Sequence, residues 1–125
     1  MGRVRQAIHV HGRTCWTLFD TGPRNTYVIP AVARILQTSP TPRTIRTALG
    51  GAVKETTTAA LLEAEIEGRQ ISTHALVIDE IGKDEDGAAI EILFGALAMQ
   101  QWGVRLMRDE EVLDLSHYPE EFVEF

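Results

Sequence analysis

The chain has one cysteine, Cys15, among its 125 residues. No disulfide can form within it, which excludes a cross-linked scaffold and gives no sign of an oxidising compartment. Positive charge is also scarce. Twelve Lys and Arg stand against 18 Asp and Glu, for a net charge of −6. Such a chain repels phosphate backbones, so a nucleic-acid partner is not expected. No apolar run approaches the roughly 20 residues that cross a bilayer, so no membrane partner is expected either. The opening Met1-Gly2-Arg3-Val4-Arg5-Gln6 leads into no secretory apolar stretch, and Gln6 stands where myristoylation wants Ser or Thr. The expected compartment is the cytoplasm. What is present is ordinary for a folded domain: 44% apolar and 24% charged residues, in a length that holds one core and not two.

Most of the chain alternates with the period of a strand. Val4, Ile8 and Val10 share one face while Arg3, Arg5, His9 and His11 share the other. Gly12-Arg13 punctuates, and residues 14–19 return as the second arm of a hairpin. Tyr27-Val28-Ile29 is a short β run. Pro30 then suits the first position of a short helix, with Val32, Ile35 and Leu36 apolar at helical spacing. Ser39-Pro40-Thr41-Pro42 reads as a loop, because proline removes donors and fixes φ. Gly50-Gly51 marks a tight hairpin tip between residues 44–49 and 52–56.

Ala60, Leu62, Ala64 and Ile66 alternate with Glu63, Glu65 and Glu67, and residues 69–78 return beyond Gly68. Residues 79–87 form a polar loop, and Ile90, Ile92, Leu93 and Phe94 a buried strand. Residues 96–102 have helical composition and stop at Gly103. A last hairpin spans residues 104–108 and 112–115. Many short strands and two short helices predict a small β-barrel or folded-over sheet in residues 1–115, followed by a tail in 116–125.

One triplet carries chemistry. Asp20-Thr21-Gly22 sits at a strand end behind Leu18-Phe19. Asp and Gly suit turns on their own, so a plain turn is one reading. By chance the triplet arises in only roughly 2–3% of chains this long. It is followed by Thr26-Tyr27-Val28-Ile29 and, much later, by a second apolar-apolar-glycine strand end, Leu93-Phe94-Gly95.

In these residues, and in the hairpin tip Ala48-Leu49-Gly50-Gly51-Ala52-Val53, the chain resembles the retropepsin-like aspartic proteases. These are the single-lobed, retroviral-type relatives of pepsin. The resemblance runs from Val4 to Leu115. It implies a mainly β fold, a small closed β-barrel with one or two short helices. It implies Asp20 as the catalytic aspartate, Thr21 hydrogen-bonded across a subunit interface, and Gly22 turning the backbone beneath the carboxylates. Leu93-Phe94-Gly95 is expected behind that loop. Leu49, Gly50, Gly51 and Ala52 are expected in a flap over a peptide substrate, and Arg24 beside the loop as a brace and substrate contact.

The mechanism so implied needs two carboxylates sharing one proton, and one chain offers one Asp-Thr-Gly. A homodimer supplies the second. No metal or cofactor is called for. Two departures stand out. Pro23 follows the glycine where Ala or Ser is usual, removing a backbone donor. Gly95 is followed by Ala96-Leu97 and not by the Arg of retroviral members, as in a non-viral, bacterial-type member. The alternative that Pro23 suggests is a dimer that binds peptides or proteins without cutting them.

Other features read more plainly. His9 and His11 are solvent-facing, Cys15 is a small buried residue, and Asp84-Glu85-Asp86 is a solvated loop. Trp16 and Trp102 belong to core or interface. The tail, with Tyr118-Pro119 and its acidic-apolar end, is expected to pack Phe122 and Phe125 on its own domain. Entry into a partner's cleft is the alternative.

Overall fold

The structure, a computed structural model, describes residues 2–123. Strand β1 (Arg3–Val10) and strand β2 (Arg13–Asp20) are joined by His11-Gly12, at φ 48 and 83. Two positive angles make the turn whose twist matches that of the strands it joins. The turn sets the register: Val10 faces Arg13 and, at the far end, Arg3 faces Asp20. Alternation then buries Val4, Ile8 and Val10 from one strand and Cys15, Thr17 and Phe19 from the other.

The chain continues through β3 (Thr26–Val28), α1 (Pro30–Ala33), β4 (Gln37–Leu49), β5 (Ala52–Ile66) and β6 (Arg69–Val77). It then runs through β7 (Ile92–Phe94), α2 (Ala96–Trp102), β8 (Arg105–Met107) and β9 (Val112–Asp114). The main sheet has the order β1-β2-β7-β3-β6-β5-β4, and one pair, His9 with Glu65, brings β1 back to β5. The sheet therefore curls over its own inner face, and the expected barrel is closed by that pair alone. Phe19, Phe94, Ile8, Leu62, Ile66 and Ile92 are fully buried inside. Each such side chain contributes about 1.5–3 kcal/mol of burial.

Two expectations are corrected. Ser39-Pro40-Thr41-Pro42 lies within β4 and not in a separate loop. Edge position explains the tolerance, since β4 has β5 as its one neighbour. The ladder still breaks there: after Pro40 pairs with Thr58 it resumes at Ile45 with Thr56, leaving residues 41–44 opposite Thr57. Helix α1 is a single turn ending at Ala33, so Ile35 and Leu36, read at helical spacing with Val32, lie beyond it, and Ile35 is 39% exposed.

The tail folds onto its own domain. Tyr118 stacks on Trp102 at 6.0 Å between centroids and Phe122 meets the same indole edge-on at 5.5 Å. The Tyr118 hydroxyl donates to the Gln70 carbonyl at 2.6 Å. Phe125 lies outside the described residues. Among those described, no helix is long and apolar enough to cross a membrane.

Candidate active site

Asp20 ends β2 where the chain leaves the sheet. Its side chain is bonded on both oxygens. The Gly22 amide donates to Oδ1 at 2.8 Å and Arg3 Nε to Oδ2 at 3.1 Å. The first bond is an Asx turn, which Asp favours because its short carboxylate reaches the amide two residues on. Asp20 is 3% exposed, whereas Thr21 and Gly22 beside it are exposed. The Thr21 amide donates to the Gly2 carbonyl at 3.1 Å, and the Gly2 amide donates to the Thr21 hydroxyl at 3.3 Å. In this chain the hydroxyl expected at a subunit interface thus meets the chain's own β1 approach.

Behind the loop, β2 and β7 run parallel, with Leu18 beside Leu93 and Phe19 beside Phe94. The two phenyl rings lie 5.0 Å apart. Gly95 then passes so close to the loop that a Cβ on it would sit 2.0 Å from the Asn25 carbonyl oxygen. Its amide donates to the Thr26 hydroxyl at 3.1 Å. The first amides of α2 continue the attachment: Ala96 donates to the Pro23 carbonyl at 2.8 Å and Leu97 to the Arg24 carbonyl at 3.1 Å. Pro23 has no N–H to give, and the loop is held here through its carbonyl.

The β4–β5 hairpin forms the roof. Leu49 pairs with Ala52 around Gly50-Gly51, at φ 56 and 83, angles that suit glycine. Two side-chain bonds tie the hairpin to the body. Tyr27 Oη lies 2.7 Å from Thr47 Oγ1. Lys54 Nζ donates to Asp79 Oδ1 at 2.9 Å. That bond holds the Asp79 carboxyl below its usual range, helped by the Glu80 amide, and holds the Lys54 ammonium above its own.

Between floor and roof is a cleft of about 540 Å³. Leu18, Tyr27, Ile81, Ile90 and Leu93 give it apolar walls, and Arg3, Arg24 and Lys83 give it positive charge. Asp20 is the one carboxylate on its wall among the described residues. Of the residues expected to touch substrate, Arg24, Leu49 and Gly50 line the cleft. Gly51 and Ala52 sit exposed at the hairpin tip, off the cleft wall. Sequence reasoning missed Arg3, Tyr27 and Lys83. Arg3 was within reach of it: a two-residue turn at His11-Gly12 pairs positions whose numbers sum to 23, and so puts Arg3 opposite Asp20.

The other polar candidates lie elsewhere. Cys15 is fully buried, and burial, with the Glu91 charge behind it, pushes its thiol up to about 11. His9 and His11 are exposed, and His11 Nε2 lies 3.5 Å from Glu63 Oε1. Asp84, expected to be merely solvated, organises its loop. It accepts from Trp16 Nε1 at 2.8 Å and from the amides of Asp86 and Ala88 at 2.9 and 2.8 Å. These bonds, the Ala88 amide first, hold its carboxyl below the usual range.

No family model and no curated protein matches the chain. Solved structures do. The retroviral protease-like domain of Ddi1 from Leishmania major aligns with a TM-score of 0.63 at 14% identity, over 93% of this chain and 90% of that one. The EIAV protease, complexed with the inhibitor HBY-793, aligns at 0.56 and 22% identity, over 84% and 92%. The Simian Foamy Virus (mac) protease aligns at 0.50 and 14% identity, over 77% and 91%. At such identities the likeness is one of fold, and the chain has the retroviral protease-like fold. Likeness to a Leishmania domain and to viral proteases lends no support to the expected bacterial-type affiliation.

Proposed function

We propose that the chain is an aspartic endopeptidase that works as a two-fold symmetric homodimer, with Asp20 of each copy at the shared axis. One observation carries the reading. Asp20 is the buried floor of a roofed, apolar-walled cleft on this fold, and no second carboxylate lines that cleft among the described residues. Peptide hydrolysis by paired aspartates needs two, so a second copy must bring the other. The exposed Thr21 and Gly22 beside the buried Asp20 suit such a contact.

The chemistry follows from two carboxylates that share a proton because both cannot ionise cheaply side by side. Aspartic proteases as a class are the standing example of such a pair. The ionised Asp20 takes a proton from water as the oxygen bonds to the peptide carbonyl carbon. The protonated one hydrogen-bonds the developing oxyanion. The oxyanion then collapses, the C–N bond breaks, and the Asp20 that took water's proton passes it to the leaving amine. The Gly22 amide on Oδ1 keeps the carboxylate aimed throughout. Substrate lies extended between the floor and the hairpin carrying Leu49, Gly50 and Gly51. No metal or cofactor enters.

The Arg3–Asp20 ion pair favours a second reading, a dimer that binds peptides or proteins without cutting them. A guanidinium on Oδ2 competes with the shared proton, so catalysis requires Arg3 to swing aside. Cleavage of a diverse peptide mixture between about pH 4 and 7, followed by mass spectrometry, separates the two. The endopeptidase gives cuts that vanish in Asp20→Asn and fade as the shared proton is lost. A folded dimer with no cuts establishes the binding domain, and a monomer in sedimentation sinks catalysis by paired aspartates.

A further inference from the structure

We infer that the cleft over Asp20 selects extended peptides with acidic side chains beside an apolar residue, Arg24 and Lys83 being the groups that read the carboxylates. This rests on the peptide-binding part of the function proposed above. The chain is acidic, at net charge −6, yet the wall of this cleft carries Arg3, Arg24 and Lys83 against Asp20 alone. Arg3 is engaged by Asp20. Arg24 and Lys83 are exposed and have no acidic side chain within 4.0 Å among the described residues.

Both are carried on fixed backbone. The Arg24 carbonyl accepts from Leu97, and Lys83 pairs with Ala89 while the Ile90 amide donates to the Gly82 carbonyl at 2.9 Å. Asp84, next in sequence to Lys83, turns away from it: its oxygens accept from Trp16 and from the amides of Asp86 and Ala88, and the two side chains form no ion pair within 4.0 Å. Unpaired cations on a concave apolar wall focus a positive field into the space where substrate lies. A guanidinium forks onto a carboxylate and an ammonium acts as a point charge, so the two are complementary readers.

Direction is set as well. A neighbouring depression of about 410 Å³ shares Arg3, Leu18, Lys83 and Ile90 with the cleft. It also carries Asp84, Glu85, Asp86 and Glu111, with Arg5 as its further cation. Acidic substrate groups are repelled from that side and are placed toward Arg24. Leu18, Tyr27, Ile90 and Leu93 receive the apolar residue.

The test uses the unsubstituted chain and non-cleavable reduced-bond peptides that differ only in Glu, Gln or Lys on either side of a Leu-Phe centre. Fluorescence anisotropy reads binding. The Glu peptide should bind about tenfold more tightly than the Gln peptide at low ionic strength, falling to about twofold near 0.5 M salt. Arg24→Gln with Lys83→Gln should erase the difference, and Lys83→Glu should shift preference toward the Lys peptide. Both side chains are exposed, and circular dichroism confirms that the variants fold. Equal binding of the Glu and Gln peptides, tighter binding of the Lys peptide, a preference unmoved by the substitutions, or no binding at all overturns the inference. Cleavage is read separately. Discrimination without cutting sinks the endopeptidase and leaves this inference standing, while cutting without discrimination does the reverse.

Discussion

Arg3 Nε lies 3.1 Å from Asp20 Oδ2, a mostly exposed cation closing over a buried carboxylate whose side chain is 5% exposed. The pairing comes from the register of the first hairpin. It gives Oδ2 a partner where water is largely excluded. Because Arg3 is itself 62% exposed, solvent screening keeps the worth of the pair small. Arg3→Gln should lower stability by about 1 kcal/mol. A double-mutant cycle with Asp20→Asn in urea should return a favourable coupling of similar size, and zero coupling would show the contact to be idle. Peptide hydrolysis by Arg3→Gln should match or exceed that of the parent, because the competitor for the shared proton is gone.

Gly95 and Gly51 should respond to alanine very differently. At Gly95 the new methyl would lie 2.0 Å from a backbone oxygen of the very loop that carries Asp20. The loop must shift or the strand end must part from it, at a cost of about 3 kcal/mol or more. At Gly51 nothing lies within 4 Å, and only the positive φ of 83 resists, at about 1 kcal/mol. Denaturant midpoints of the two variants, measured side by side, check the ranking.

Tyr27→Phe removes a hydroxyl and little else. Its partner is Thr47 on the hairpin over the cleft. Global stability should fall by about 1 kcal/mol. Amide exchange should quicken in residues 45–56 and stay unchanged in β1 and β2. Uniform acceleration through the chain would mean that the bond does not hold the hairpin in particular.

Cys15 should resist a thiol reagent at about pH 8 in the native state and react at the rate at which the chain unfolds. Burial holds the proton on its sulfur, with the thiol pushed up to about 11. The folded state thus binds a proton that the unfolded state releases at lower pH. Its contribution is whole below the ordinary thiol range and is lost as pH climbs toward about 11. Denaturation midpoints at rising alkaline pH should fall in Cys15 protein more steeply than in Cys15→Ala.

Much of this was written locally. Period-two alternation placed β1, β2 and the later half of β5 because one face of each is buried, and helix α2 ended where expected because Gly103 adopts φ 65. A Cβ there would strike the His117 carbonyl oxygen at 2.1 Å. Asp20, Gly95 and the Gly50-Gly51 tip could be found because each needs its residue type. What escaped was non-local. The prolines of β4 look like a break until the strand is known to be an edge. Lys83 reaches the cleft because its loop is pinned by the Trp16–Asp84 bond across 68 positions. Tyr27 looks like one more core aromatic until the hairpin folds over it.

The first hairpin has a last consequence, for how such a chain can diverge. Its turn counts off the pairing residue by residue, so that Val10 meets Arg13 and Arg3 meets Asp20. Outward positions of β1 such as Arg5 and His9 can be respelled with little effect inside. Losing one letter between Val4 and Val10 is another matter. Gly2 would slide opposite Asp20, Arg3 would leave its partner, and every inward residue beyond the lost letter would trade places with an outward one. Heredity can rewrite this strand; it cannot shorten it.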